Sequence, residues 1–260
     1  MSMRRIGSWA VVLAAAGAMV VAGTDAAHRR ATGSAETKPE PPAYAEIEIA
    51  GGGAISGVVR VPNPVPQPSD FKVTKDQQTC GERIPSEAIL RAPDGTLKNA
   101  VVFLEGITKG KPINRSAGVR LDHQVCRFVP HVVAIAVGQK LELINSDPIL
   151  HSPHAKMDGH TTVFDVALPV QNQKVPRTIR EAGLMILKCD ADHGWSTAYV
   201  YAFDHPYFAV TDEKGAFRID RVPPGAYKLK AWHETFGTQA VDVMVTEGQE
   251  TAVRLEALSR

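Results

Sequence analysis

The chain has 260 residues, of which 44% are hydrophobic and 22% are charged, and its formal net charge is +1. A chain of this size and composition can bury a core in one large or two small domains. The nearly neutral charge excludes a general attraction for nucleic acid or anionic lipid, so we expect no nucleic-acid partner.

The N-terminus has the pattern of a secretory signal peptide. Arg4 and Arg5 precede an uncharged run at 6–23 that is rich in Ala and Val, and Thr24–Ala26 is an acceptable cleavage signal. We therefore expect residues 1–27 to be a leader and the protein to be periplasmic or otherwise exported. If the leader is not cleaved, the run is nearly long enough to anchor the chain in a membrane. Without the leader, the formal charge is zero.

The remainder of the chain predicts an all-β fold. Residues 28–44 contain few large apolar side chains and indicate a solvated linker, so folded structure is expected from Ala45 onward. Short runs rich in β-branched or aromatic residues, bounded by Gly, Pro, Asn or Asp, then predict strands. These runs are 55–61, 100–104, 132–137, 140–144, 184–189, 198–203, 207–210, 216–219, 227–232, 241–245 and 251–255. Only a short helix at 86–91 or 177–182 is expected beside them.

The last part of the chain has the turns of a small antiparallel β-sandwich. Hairpin turns are predicted at 211–215, at the Val-Pro-Pro-Gly of 222–225 and at 247–249. This order of strands and turns resembles the carboxypeptidase regulatory-like, or transthyretin-like, β-sandwich modules over about residues 207–258. The resemblance implies a fold more than a function, although some such modules bind carbohydrate, which would then be a partner.

Three cysteines leave one unpaired in an exported protein. Cys80 and Cys126 lie in polar, loop-like surroundings, whereas Cys189 follows four apolar strand residues and precedes His193. The economical assignment is a Cys80–Cys126 disulfide, which leaves the Cys189 thiol free for a metal. Cys189 as a buried hydrophobe, or as a disulfide partner itself, remains the alternative.

The free thiol belongs to a pattern of soft-metal ligands. Cys189 and His193 lie on one tight loop after an apolar strand, and a second strand ends at Asn145 before His151 and His154. A thiolate together with imidazoles suits copper in both of its common oxidation states. We expect the two strand-end loops to meet at one pole of a sandwich.

These two segments resemble the cupredoxins, the plastocyanin-like and azurin-like copper domains. The resemblance implies a Greek-key β-sandwich over 45–205, followed by the second sandwich over 206–260. It also implies that His151, Cys189 and His193 hold one copper ion and that Asn145 pins the backbone of the first ligand loop. The chain departs from the family at the axial position, where Ser196 and Thr197 stand in place of Met. His154 is then either a fourth nitrogen donor or a hydrogen-bond donor beside the ligands.

The expected function is one-electron transfer, or copper carriage, with a redox partner protein. No nucleophile elbow, zinc-protease pair or phosphate-binding loop is found, so we do not expect an enzyme. The alternative is a cell-surface or carbohydrate-interaction protein whose Cys and His residues bind no metal. A structural zinc ion on the same ligands is a third interpretation.

Overall fold

The computed structural model describes residues 43–61 and 65–256. The predicted leader at 1–27 lies outside the described residues, and so does the predicted linker at 28–44 apart from its last two residues. Tyr44 already contacts the folded part, since its hydroxyl donates to the Lys111 carbonyl oxygen at 2.7 Å. Within the described residues, no helix is both long and apolar enough to cross a membrane.

Sandwich 1 is built from two mixed sheets that enclose one apolar core. Its four-stranded sheet has the order β13–β10–β7–β8, and its five-stranded sheet has the order β12–β11–β14–β15–β9. Leu121, Leu141, Met185, Leu187 and Val200 are buried between them. The strands are β7 (Val119–Gln124), β8 (Arg127–Val129), β9 (Val132–Ala136), β10 (Lys140–Asn145), β11 (Pro153–Met157), β12 (Thr161–Asp165), β13 (Gln173–Thr178), β14 (Gly183–Cys189) and β15 (His193–Phe203).

Sandwich 2 contains the strands after residue 205 together with two strands from the start of the fold. Its sheets have the orders β16–β5–β18–β19 and β17–β2–β20, and Ile55, Leu104, Phe217 and Leu229 lie in the core between them. The strands are β2 (Gly53–Arg60), β5 (Val101–Glu105), β16 (Phe208–Val210), β17 (Ala216–Val222), β18 (Gly225–His233), β19 (Gly237–Val245) and β20 (Glu250–Glu256).

Short elements connect the two sandwiches. β1 (Ala45–Glu46) pairs with β6 (Lys109–Gly110), and β3 (Phe71–Lys72) pairs with β4 (Arg83–Ile84). The single helix among the described residues, α1 (Gln77–Cys80), lies between β3 and β4. The Cys80–Cys126 disulfide ties this segment to the β7–β8 turn, as predicted.

The all-β prediction is confirmed, and each of the eleven predicted runs overlaps a strand, with its ends at most one residue outside that strand. Some strands were missed because their composition is polar; β7 reads Val-Arg-Leu-Asp-His-Gln, and β13 contains Pro176. Pro is tolerated in β13 because that strand is the edge of its sheet. The short helices expected at 86–91 or 177–182 are not formed; those segments contain loops and the end of β13.

Strand pairing does not follow the predicted boundary at residue 205. β2 pairs with β17 and β20, and β5 pairs with β16 and β18, so sandwich 2 cannot form from residues 206–260 alone. β15 and β16 also belong to different sheets. The reason lies in β5, where Val101 to Leu104 are all buried: Val102 and Leu104 enter the core of sandwich 2, while Val101 and Phe103 pack against sandwich 1.

We expect the disulfide to contribute measurably to stability. Because it closes a loop of 46 residues, replacing both Cys80 and Cys126 by Ala should lower the free energy of unfolding by about 4 kcal/mol. Urea unfolding of the metal-free variant and parent measures this difference. In the denatured, metal-stripped parent, thiol titration should find one reactive cysteine, and Cys189→Ser should reduce that number to zero. Three reactive thiols in the parent would contradict the pairing.

Candidate metal centre

The tight connection between β14 and β15 carries two of the predicted ligands. Cys189 and His193 are paired across these antiparallel strands. A β-bulge after Lys188 and a left-handed backbone at Asp192 (φ 65°) turn the chain between them. Because directly paired residues present their side chains on the same face of a sheet, the thiol and the imidazole lie side by side.

The loop after β10 carries the third predicted ligand. The side-chain amide of Asn145 donates to the carbonyl oxygens of Ile149 and Leu168, both at 2.8 Å, and its oxygen accepts the Asp147 N–H at 3.0 Å. His151 follows in a β-bridge with Leu168. Asn145 therefore occupies the backbone-pinning place that the resemblance implied, and it fixes the direction in which His151 enters the sandwich.

The structure brings His151, Cys189 and His193 together in the interior. Sγ of Cys189 lies 3.6 Å from Nδ1 of His151 and 3.6 Å from Nδ1 of His193, and the two Nδ1 atoms are 3.2 Å apart. Bond lengths typical of zinc and tetrahedral angles predict separations of about 3.6 Å for S···N and about 3.3 Å for N···N. The three donor atoms thus have the spacing of ligands around a common metal ion.

A carboxylate holds the outer nitrogen of each imidazole. Nε2 of His151 donates to Oδ2 of Asp147 at 2.9 Å, and Nε2 of His193 donates to Oδ2 of Asp76 at 2.8 Å. These hydrogen bonds leave both Nδ1 atoms free for the cluster and make each imidazole a better donor. Both histidines are fully buried, so their rings cannot turn toward solvent instead.

His123 lies at the same cluster and was not predicted from the sequence. His123 is fully buried on β7, and one of its ring nitrogens lies within 4.8 Å of donor atoms of both His151 and Cys189. Its ring is stacked on that of His151, with a centroid distance of 4.1 Å. The alternation of Val119, Leu121 and His123 was the available signal, because it places the imidazole on the same inward face as Leu121.

The prediction of His154 as a fourth donor is not met by the geometry. Register places Pro153 opposite Cys189 and His154 opposite the exposed Lys188, so the His154 side chain projects from the outer face. Its Nδ1 contacts Asp190 at 2.6 Å and its Nε2 contacts Thr162 at 2.8 Å.

Methionine does not provide an axial donor from the first ligand loop. Met157 pairs with Met185, four residues along β14 from the end that carries Cys189, and its sulfur packs beside Gly183. Oγ of Ser196 is buried without a hydrogen-bond partner. Among the described residues, the sulfur of Cys126 also lies within 4.8 Å of a ring nitrogen of His151, but it is bonded to Cys80 in the disulfide.

Electrostatics favour the thiolate form of Cys189. Burial by itself raises the pKa of the thiol, but the imidazoles of His123, His151 and His193 lower it further than burial raises it, and the pKa falls to about 4. The Ser152 N–H also donates to the sulfur, at 3.3 Å. A thiolate and neutral or hydrogen-bonded imidazoles are the ligand set that soft transition metals select, so the residues fit copper and, as an alternative, zinc.

The disulfide-linked segment closes the centre from outside. Asp76 immediately precedes α1, whose last residue is Cys80, and Lys75 donates to the carbonyl oxygen of Ala191 at 3.1 Å. Trp195 packs in the same small apolar cluster as the disulfide, and its indole N–H donates to the Cys126 carbonyl oxygen at 3.1 Å. The centre is therefore covered on the side of the β14–β15 loop by residues from a distant part of the chain.

Comparison with known proteins finds both families that were named from the sequence. The family model for the carboxypeptidase regulatory-like domain matches residues 191–257, which include β15 as well as most of sandwich 2. This range is wider than the predicted module and begins within the β14–β15 loop. No curated protein sequence matches the chain.

Several solved cupredoxins are similar over about a third of this chain. They include the Cu-containing nitrite reductase from Thermus scotoductus SA-01 (17% identity, 35% of this chain and 23% of that chain, TM-score 0.30). A purple cupredoxin from Nitrosopumilus maritimus has 16% identity over 33% of this chain and 99% of its own, with a TM-score of 0.29. Amicyanin from Paracoccus versutus has 18% identity over 33% of this chain and 81% of its own, with a TM-score of 0.30.

The depressed pKa of Cys189 makes a testable prediction for the metal-free protein. Because the folded-state pKa is about 4 rather than 9.0, the thiolate should be present at neutral pH and should be protonated only as the pH falls through about 4. The stability that ionised Cys189 contributes should be fully present above about pH 9 and should be lost progressively as the pH falls to about 4. The ultraviolet absorbance of the thiolate, taken as the difference between the parent and Cys189→Ser, measures this titration. A midpoint near 9 would contradict the prediction.

Proposed function

We propose that this chain is an exported copper protein that binds one copper ion through His151, Cys189 and His193. Bound copper would supply a one-electron couple, and the protein would carry electrons, or copper itself, to a partner protein. The observation that carries the proposal is the spacing of one thiolate and two imidazole nitrogens, at 3.2 to 3.6 Å from one another, inside a closed sandwich.

The way in which the three donors are held supports electron transfer. Cys189 and His193 belong to paired strands, and His151 is fixed by the β-bridge to Leu168 and by the Asn145 side chain. Donors that are fixed by a packed sandwich can change little when the charge of a bound ion changes. A small structural change at each electron transfer is the property that such a carrier needs.

The charge balance of the centre also supports a bound cation. Two carboxylates, Asp76 and Asp147, and one thiolate surround the cluster, while the partly exposed Lys75 binds at its rim. Burial alone would disfavour the anionic forms, so a cation between them offsets that cost. The pKa of Asp147 remains below its usual range, because hydrogen bonds from His151 and from two backbone N–H groups outweigh the effect of burial.

An exported location is part of the proposal. A structural disulfide between Cys80 and Cys126 is typical of proteins that fold in an oxidising compartment. The N-terminal pattern of residues 1–27 predicts such export from the sequence.

The first prediction concerns metal content. Protein supplied with copper should bind one ion per chain, and the oxidised form should absorb visible light through the copper–thiolate bond. Cys189→Ser should abolish both properties, whereas His154→Gln should retain them because both His154 nitrogens face Asp190 and Thr162. Elemental analysis and visible spectroscopy provide the measurement. A folded parent that binds zinc but not copper would favour a structural role, and a parent that binds neither would favour the interaction-module alternative.

A second prediction concerns the carboxylate behind His193. Asp76→Asn keeps a hydrogen-bond acceptor but removes its charge, and Asn also tolerates the left-handed backbone at this position (φ 54°). Loss of such an outer partner typically weakens metal binding by about 10- to 100-fold. Competition with a chelator measures the copper affinity. Asp192→Asn is the matched control, since Asp192 contacts only the exposed end of Lys75 and should leave the affinity unchanged. Equal affinities for both variants would contradict the role of Asp76.

A further inference from the structure

His123 is buried without hydrogen bonding. Both of its ring nitrogens lack a partner, although the residue has no exposed surface. Leaving a buried polar atom unpaired costs about 1 to 3 kcal/mol, and native structures rarely retain such groups. The two neighbouring imidazoles differ sharply, since each has a carboxylate on its outer nitrogen. An unpaired imidazole at this place therefore points to a partner that is not a protein group.

The fold holds His123 firmly beside the three donors. β7 runs parallel to β10, and His123 is paired with Asn145, the residue that pins the first ligand loop. The carbonyl oxygen of His123 also accepts the Ser146 N–H at 3.0 Å. Phe128 packs against the other side of the imidazole, at a centroid distance of 4.0 Å. Strand pairing thus holds the backbone of His123, and the neighbouring rings of His151 and Phe128 hold its imidazole beside the cluster.

The ring of His123 lies beside the cluster but forms no hydrogen bond with it. A ring nitrogen of His123 lies within 4.8 Å of donor atoms of His151 and Cys189. Rotation of an imidazole about its Cβ–Cγ bond meets only a broad torsional potential.

We infer that His123 is the fourth protein ligand of the metal and takes the place that a thioether would otherwise fill. This inference rests on the proposed function and makes the centre a three-imidazole, one-thiolate site. Four protein ligands leave no open position for a substrate, which is the property of closed rather than catalytic metal sites. The inference therefore favours electron or copper carriage over catalysis at this centre.

A nitrogen donor in place of a thioether should also change the redox behaviour. The reduction potential of Cys/His copper sites depends on the additional weak ligand. Imidazole is a harder donor than a thioether and stabilises the oxidised ion more, so the reduction potential should be lower than in a variant that has Met at position 123.

The test compares His123→Leu with the copper-loaded parent and with His233→Leu. His233 is the matched control because it is a buried histidine of sandwich 2 whose Nε2 also lacks a partner. Pulsed electron paramagnetic resonance of the oxidised protein should count three imidazoles in the parent and in His233→Leu, but two in His123→Leu. The copper affinity of His123→Leu should fall by about tenfold or more.

Stability of the metal-free protein separates a ligand from a structural residue. If His123 is a ligand, His123→Leu removes an unpaired polar group and should raise the midpoint of urea unfolding of the metal-free chain. A purely structural role for the imidazole predicts a lower midpoint. His123→Met is the second variant; it should keep copper, show two coordinated imidazoles and have a higher reduction potential than the parent.

The possible failures are distinguishable. A parent that binds no copper overturns both the proposed function and the role of His123. A parent that binds copper through two imidazoles, with His123→Leu unchanged in affinity and imidazole count, overturns the role of His123 alone and leaves the proposed function standing. If His123→Met has the same reduction potential as the parent, the role of His123 is likewise overturned and the proposed function still stands.

Discussion

The carboxylate of Asp147 is the interaction on which the centre most depends. It accepts the backbone N–H groups of Val125 and Cys126, both at 2.8 Å, and the Nε2 of His151 at 2.9 Å. Val125 and Cys126 have left-handed backbones, with φ of 51° and 59°, a conformation that a β-branched residue rarely adopts. One buried carboxylate thus stabilises a strained turn, the half of the disulfide that lies in it and the orientation of the proposed ligand His151.

The disulfide extends this arrangement to the second imidazole. From Cys126 the bond passes to Cys80 at the end of α1, and Asp76 at the start of α1 holds His193. Asp147 and Asp76, the carboxylates that accept hydrogen bonds from His151 and His193, are therefore linked through the disulfide. The segment between β3 and β4 thus positions the Asp76 carboxylate at a buried imidazole. The disulfide holds this segment in place, because strands of two residues offer little packing of their own.

The two sandwiches are joined through strands as well as through surface contact. β15 begins at His193 in the candidate metal centre and ends at Phe203, whose ring packs against those of Phe103 and Phe208 from sandwich 2. Val101 and Phe103 of β5 belong to the same contact cluster as Val132. Because apolar burial on both faces of β5 stabilises the two sandwiches together, residues 206–256 complete the fold rather than follow it as a separate module.

The sequence by itself determined the all-β class, the turns of sandwich 2, the disulfide and the grouping of Cys189 with His193 and His151. The strands, the turns and the Cys189–His193 hairpin depend on short-range patterns, and only five residues lie between Asn145 and His151. The disulfide was predicted from the surroundings of the three cysteines, and the grouping of His151 with Cys189 followed from the resemblance to cupredoxins. Only the tertiary structure decided which other groups join them. Parallel pairing of β7 with β10 brings His123 to the cluster. Asp76 lies 117 residues before His193 in the sequence and contacts its Nε2 only in the folded chain. His154 is close in sequence but lies outside, because alternate residues of a strand face opposite sides and the register with β14 assigns it to the outer one.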